Sequence, residues 1–249
     1  MTLQEQFEKQ GNFLFKYRSY LPLIIIVAGL LVYIFPLLKN PNPSFASYTI
    51  LVFISLAISF IGFAIRVYTV GHTPANTSGR NTAEQIADEL NTTGIYSMVR
   101  HPLYLGNFFM WLGAALLTTN PWFVVIFVLV YWLYYERIMY AEEQFLQRKF
   151  GEAFLRWAEK TPTFIPNFHR FVSSRYPFSW KKAIKKEKNG LAAIFILLFI
   201  FYNIRYSFKN HHFSIDLNWI FWVTLLTILL YLVLKFLKKE THVLDETGR

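Results

Sequence analysis

Residues 94–135 read GIYSMVRHPLYLGNFFMWLGAALLTTNPWFVVIFVLVYWLYY. Two apolar runs, Leu103–Leu117 and Trp122–Tyr135, are separated only by Thr118-Thr119-Asn120-Pro121. Each is shorter than the roughly 20 residues that a membrane-spanning helix needs. The pair is expected to form a tight helical hairpin whose far ends extend into polar sequence. Its first helix then starts at Arg100-His101-Pro102, and its second runs on through Glu136 and Arg137. Charge at that depth is costly, which makes such residues functional candidates. A proline in the first turn loses no helical hydrogen bond, and it biases His101 toward an extended backbone. Gly106 lets another backbone or a ligand approach closely.

Four further apolar runs flank the hairpin: Leu21–Leu38, Ala46–Tyr68, Leu191–Ser207 and Leu217–Leu237. Phe, Trp and Tyr make up 19% of the chain, and charged residues only 16%, below the soluble norm of about 25%. The fold class expected is an all-α integral membrane protein with about six transmembrane helices. Residues 1–70 form a two-helix membrane segment, 71–170 a core with the central hairpin, and 171–249 a second two-helix segment. Ala141–Trp157 repeats Phe145, Leu146, Phe150, Ala153, Phe154 and Trp157 at helical spacing. It is expected to lie as a separate interfacial helix along the membrane surface. A short helical stretch is expected around Ala83–Leu90, and the basic run Lys181–Lys188 reads as topology and lipid contact.

Lys and Arg set the orientation. Three precede Leu21, the Thr-Thr-Asn-Pro turn has none, segment 141–189 has eleven, and the tail from Lys235 has four. Six spans with both termini in the cytoplasm satisfy the positive-inside rule at every loop. No N-terminal cleavable signal is evident. The formal net charge of +10 suits anionic headgroups or an anionic substrate. Nucleic acid is ranked low as a partner, because the basic and aromatic residues near 170–180 adjoin membrane helices. Cysteine is absent, which excludes disulfides, thiol nucleophiles and Cys-ligated zinc. His72, His169 and His242 are scattered and His211-His212 lies in the outward loop; these read as surface residues, and no metal site is expected.

Two polar clusters share the cytoplasmic face, Arg100 to Gly106 and Glu136-Arg137 with Glu142-Glu143. If the hairpin closes tightly they converge. Alternatively the two form only a structural ion pair, for example Arg100 with Glu142. The wider order is Gly94-Ile95-Tyr96, Arg100-His101-Pro102-Leu103-Tyr104-Leu105-Gly106, Pro121, Glu142-Glu143, Leu146, Phe150-Gly151 and Thr163-Phe164-Ile165-Pro166. That order resembles the isoprenylcysteine carboxyl methyltransferase and phospholipid methyltransferase superfamily over about Arg66 to Pro166.

The resemblance implies a membrane methyltransferase that uses S-adenosylmethionine. It places Tyr96, His101, Pro102, Tyr104 and Gly106 on one side of the cofactor and Glu142 and Glu143 on the other. Arg100, His101 and Arg137 are the catalytic candidates, with the two arginines facing an anionic acceptor or the cofactor carboxylate. The stretch 72–82, HTPANTSGRNT, is similar to a bacterial subgroup, the lipid A phosphate methyltransferases. This implies a bacterial inner membrane, and Asn76, Ser78, Arg80 and Asn81 as contacts to a phosphate, the alternative being a polar loop of turn residues. An ethanolamine headgroup is the runner-up acceptor and needs a base such as Glu142 or Glu143. A prenyl-linked carboxylate is a further acceptor within the superfamily. Outside catalysis, Arg66, Arg137 and Arg205 are compatible with a transporter, and a membrane scaffold is a third class. The oligomeric state is not legible.

Overall fold

A computed structural model of the chain describes residues 1–41, 44–74, 85–246 and 248. Eight α-helices form among these residues: α1 Leu3–Lys16, α2 Leu21–Lys39, α3 Ala46–Gly71, α4 Pro102–Leu116, α5 Pro121–Phe150, α6 Glu152–Ala158, α7 Trp180–Lys209 and α8 Trp219–Glu240. No strand forms among them; Gly94 and Val172 make one isolated antiparallel bridge. Helices α2, α3, α5, α7 and α8 are long and apolar enough to cross a membrane. At 15 residues α4 is shorter; at 1.5 Å per residue it rises about 22 Å. The chain is an all-α, multi-pass membrane protein.

The hairpin turn follows from its residues. Thr118 Oγ1 donates back to Ala115 O at 2.7 Å, and Thr119 turns the chain with φ +58°. Asn120 caps α5 by accepting from Phe123 N at 3.0 Å, and Pro121 occupies the first helical position. Beyond the turn, α5 runs 30 residues to Phe150. It ends at Gly151, whose φ of +52° breaks the helix, and the seven-residue α6 follows. The separate surface helix expected over Ala141–Trp157 is therefore corrected. Its first ten residues are the end of a spanning helix, because no breaker precedes Gly151.

The closest helix crossing is between α3 and α4, and small residues make it. A Cβ on Gly62 would lie 2.3 Å from Gly106 O, and one on Gly113 would lie 2.0 Å from Ser59 Oγ. Small residues permit this approach where lipid offers no hydrophobic drive for helix association. Helix α1 packs on the second half of α5, where Gly11 sits against Arg137 O and Ala141. Its start is a reciprocal cap between Thr2 and Glu5, and Glu8 pairs with Arg148 at 2.7 Å. The expectation for residues 1–70 did not include this helix.

Helix α7 begins inside the basic run. Lys182 is buried, and its Nζ donates to Thr73 O at 2.6 Å and Pro74 O at 2.7 Å, holding the end of α3. Glu187 is 2% exposed. Lipid contact is thus not what these two side chains do. Residues 85–90 are not helical, which corrects that part of the expected stretch 83–90; 83–84 lie outside the described residues. His72 is packed rather than on the surface: its Nδ1 is 2.8 Å from Tyr176 O, and its ring lies against Tyr68 and Phe178.

Candidate functional site

The approach to α4, which opens with a 3-10 turn over Ile95–Ser97, is clamped by the chain that follows α6. Arg100 N donates to Pro162 O at 2.9 Å, His101 N to Thr163 O at 3.3 Å, and Asn167 N to Met98 O at 3.0 Å. Trp157 Nε1 donates to Tyr96 O at 3.0 Å. Gly94 enters this clamp at φ +62° and donates to Val172 O at 2.8 Å. Pro102 then starts α4, with His101 as its N-cap residue at φ −121° and ψ 62°. These bonds fix the backbone on which Arg100 and His101 are mounted.

Across from them, the last third of α5 presents Glu142 and Glu143. His101 Nε2 lies 2.9 Å from Glu143 Oε1, and its Nδ1 lies 3.5 Å from Glu142 Oε2. Arg100 Nη1 donates to Glu143 Oε2 at 3.0 Å, and its Nη2 donates to Thr163 Oγ1. Tyr104 OH donates to Glu142 Oε1 at 2.6 Å. Arg18, just beyond α1, reaches the same Glu142 oxygen at 3.9 Å. The two clusters converge as the hairpin predicts. The pairing differs in detail: Arg100 takes Glu143, and Glu142 takes Tyr104 and His101.

The electrostatics follow from that arrangement. Burial pulls the His101 pKa down, but hydrogen bonds and charge from Glu142 and Glu143 outweigh it and raise it above the ordinary value. Both carboxylates face the ring and favour its protonated form. Burial first, and then the Glu142 charge, push the Tyr96 hydroxyl well above its ordinary pKa.

These groups open onto a cavity of about 650 Å³, within the range of small-molecule sites. Tyr96, Arg100, His101, Pro102, Tyr104 and Glu142 all line it. Its other walls come from Arg18 and Pro22, from Gln85 to Asn91, from Trp157, and from Glu187 to Ala193 on α7. Glu143 stands behind His101 and Arg100 rather than on the wall. Gly106 is not on the wall either; a Cβ there would meet Arg66 Cγ at 2.6 Å and Gly62 O at 2.8 Å. It admits α3 and the Arg66 stem.

Arg137 is not brought to the cavity. Its guanidinium lies 3.6 Å over the Phe7 ring and pairs with Glu136 at 3.0 Å, against α1. One helical turn and more separate it from Glu142, on a different side of α5. Asn76, Ser78, Arg80 and Asn81 lie outside the described residues.

A second polar pole was not foreseen. Arg66 on α3 makes a two-pronged pair with Glu187 on α7, Nε to Oε2 at 2.8 Å and Nη2 to Oε1 at 2.7 Å. Its Nη1 donates to Asn107 Oδ1 at 2.7 Å. All three residues line the cavity. The available signal was a lone arginine in an apolar run and a lone glutamate in a basic one.

Comparison with known proteins agrees with the motif order. Residues 49–153 match the phospholipid methyltransferase family. The chain is 33% identical over 102 residues to a protein-S-isoprenylcysteine O-methyltransferase of Saccharomyces cerevisiae, covering 41% of this chain and 42% of that one. It is 30% identical over 128 residues to a probable protein-S-isoprenylcysteine O-methyltransferase of Oryza sativa subsp. indica, covering 50% and 65%. It is also 38% identical over 96 residues to the nickel-cobalt-cadmium resistance protein NccN of Alcaligenes xylosoxydans xylosoxydans, covering 39% and 42%. The chain thus spans well under two thirds of the length of the yeast and Alcaligenes relatives. No solved structure matches it. The resemblance to the isoprenylcysteine carboxyl methyltransferase and phospholipid methyltransferase superfamily holds, and its matched segment contains every cavity residue from Arg66 to Leu146.

Proposed function

We propose that this chain is an S-adenosylmethionine-dependent methyltransferase that modifies an anionic group on a membrane lipid at the cytoplasmic face. The observation that carries the reading is the single cavity in which His101, Tyr104 and Glu142 meet at the mouth of the central hairpin, inside the segment that matches a methyltransferase family.

The residues fit that cofactor. Arg100 Nε is buried, with no hydrogen-bond partner among the described residues, and a buried unpaired donor calls for an acceptor such as a carboxylate. Glu142 presents a carboxylate to the cavity for ribose hydroxyls or an ammonium group. The cofactor, when bound, supplies a methyl group on a positively charged sulfur. Glutamates on the wall suit that charge, and an aligned acceptor needs little further help.

The acceptor class follows from proton inventory. Glu142 and Glu143 favour the protonated form of the His101 ring, which weighs against its serving as a base. Both Glu142 oxygens face donors, Tyr104 and His101. An anionic oxygen acceptor needs no base, whereas an ethanolamine nitrogen must lose a proton. A lipid A phosphate is the anionic acceptor we favour, with Asn76, Arg80 and Asn81 as its contacts. A carboxylate on an isoprenoid-linked acceptor has the same proton balance. The basic surplus near the cavity end supports an orientation with both termini cytoplasmic, and the resemblance of stretch 72–82 supports a bacterial inner membrane. Both chain ends lie there: α1 packs beside Arg137, and Asp245 and Glu246 pair with Lys185 and Ser179 at the start of α7.

The test is methyl transfer. Purified protein receives methyl-labelled S-adenosylmethionine and a Gram-negative total lipid extract, and label is located by fractionation and mass. Label in lipid A supports the phosphate reading, and Arg80→Ala is expected to lower that turnover while sparing cofactor affinity. Label in ethanolamine lipids replaces the acceptor. No label and no cofactor binding leave the transporter or scaffold readings.

A further inference from the structure

The Arg66 pole stands outside the chemistry just described. Its guanidinium carries five N–H donors. Glu187 takes two of them and Asn107 takes a third. Two N–H groups remain, one on Nη1 and one on Nη2. Side-on pairing through Nε and Nη2 turns the second Nη2 N–H toward the far end of the guanidinium, and Nη1 keeps one further N–H for an oxyanion. The side chain keeps 15% of its surface, and the residue lines the cavity.

The pole is built rigidly. Glu187 is 2% exposed and is clasped by both carboxylate oxygens, so the guanidinium plane is fixed. Gly106 leaves room for the Arg66 stem, which an added Cβ would block. Glu187 comes from α7, beyond the residues that match the methyltransferase family. Asn189 and Gly190 follow it on the cavity wall. At the other pole, Tyr96 and Glu142 line the same cavity as Arg66 and Asn107. One ligand set can therefore reach both poles.

We infer that Arg66, oriented by Glu187 and Asn107, is the docking group for an oxyanion in this cavity, a phosphate or a carboxylate. Glu187 is a positioning residue that also tempers the charge of the fork. The inference rests on the methyltransferase reading only for whose oxyanion it is: the lipid acceptor's headgroup or the cofactor's own carboxylate.

The experiment uses the full chain in neutral detergent. Dodecyl phosphate and dodecylamine are titrated while tryptophan fluorescence is read, since Trp111 and Trp157 line the cavity. Binding of S-adenosylhomocysteine is measured separately by calorimetry. The informative variants are Arg66→Gln/Glu187→Gln, which removes the charged pair together, Glu187→Gln, and Arg66→Lys, which keeps a cation but not the fork. Dodecyl phosphate is expected to bind the unaltered protein better than dodecylamine does. Its affinity is expected to fall roughly tenfold or more in the double variant and to rise in Glu187→Gln, where a competing carboxylate is gone. A merely structural pair moves neither. Should the double variant fail to fold, Arg66→Lys carries the test, with a smaller fall in the same direction.

Loss confined to dodecyl phosphate assigns the oxyanion to the acceptor. Loss confined to S-adenosylhomocysteine assigns it to the cofactor carboxylate. Unchanged affinity for both ligands in the double variant and in Arg66→Lys overturns the inference. If the unaltered protein binds dodecyl phosphate through Arg66 but does not bind S-adenosylhomocysteine, the methyltransferase reading fails and the docking group stands.

Discussion

His101 Nε2 lies 2.9 Å from Glu143 Oε1, on a ring whose other nitrogen faces a second carboxylate, Glu142. The neighbouring Tyr104 ring stacks on it at 5.8 Å, and Arg100 shares Glu143. The folded pKa of His101 is raised above its ordinary value of about 6.5. The stabilisation is therefore fully present below about pH 6.5 and is lost as pH rises through the folded value. The melting temperature in detergent should fall over that interval, and His101→Gln should flatten the fall. Parallel profiles in the two proteins would show that the imidazolium does not couple the two carboxylates.

Glu142 and Glu143 are adjacent in sequence but differ in role. Glu142 faces the cavity, whereas Glu143 holds Arg100 and His101 from behind. Glu142→Gln should weaken S-adenosylhomocysteine binding by roughly tenfold or more, as expected for a hydrogen bond to a charged group. Glu143→Gln should cost less affinity but lower the melting temperature more, because it leaves Arg100 without its carboxylate. Calorimetry and a thermal melt on both variants decide this. Equal affinity losses would place both carboxylates on the ligand.

How much of this was legible depends on range. The hairpin is readable because its turn is local chemistry: Asn120 and Pro121 favour a helix start through their own cap and fixed φ. The meeting of Arg100 and His101 with Glu142 and Glu143 follows once the hairpin closes, so spacing sufficed. Arg66 and Glu187 are 121 positions apart, and nothing local links them; only the packing of α7 on α3 makes them partners. Helix α1 leaves a faint pattern because its buried side is narrow, marked by Gly11 and Phe15. Arg137 is a related case. Its proximity in sequence to the paired glutamates hid that its side chain faces α1.

Gly106 separates packing from chemistry. An alanine Cβ there would lie 2.6 Å from Arg66 Cγ and 2.8 Å from Gly62 O, and backbone on α3 cannot yield as a side chain tip can. Gly106→Ala should destabilise the fold by about 1–3 kcal/mol, the usual cost of overpacking. It should also disturb Arg66, so dodecyl phosphate affinity should fall along with the melting temperature. A thermal melt and one titration check both. An unchanged melting temperature would mean that α3 and α4 cross less tightly than 2.8 Å implies.

Arg137 provides the opposite control. It sits over Phe7 and beside Glu136, away from the cavity, and its backbone carbonyl abuts Gly11 of α1. Arg137→Ala removes a cation–aromatic contact worth about 0.5–1 kcal/mol at a partly exposed site. The expected result is a small drop in melting temperature with methyl transfer and S-adenosylhomocysteine affinity at the level of the unaltered protein. The same assay on Arg100→Ala should show loss of both, because Arg100 lines the cavity and carries the unpaired Nε. If Arg137→Ala abolished turnover with its melting temperature intact, the residue would have to swing from α1 into the cavity during the reaction, and the packing of α1 on α5 would be a resting arrangement rather than the working one.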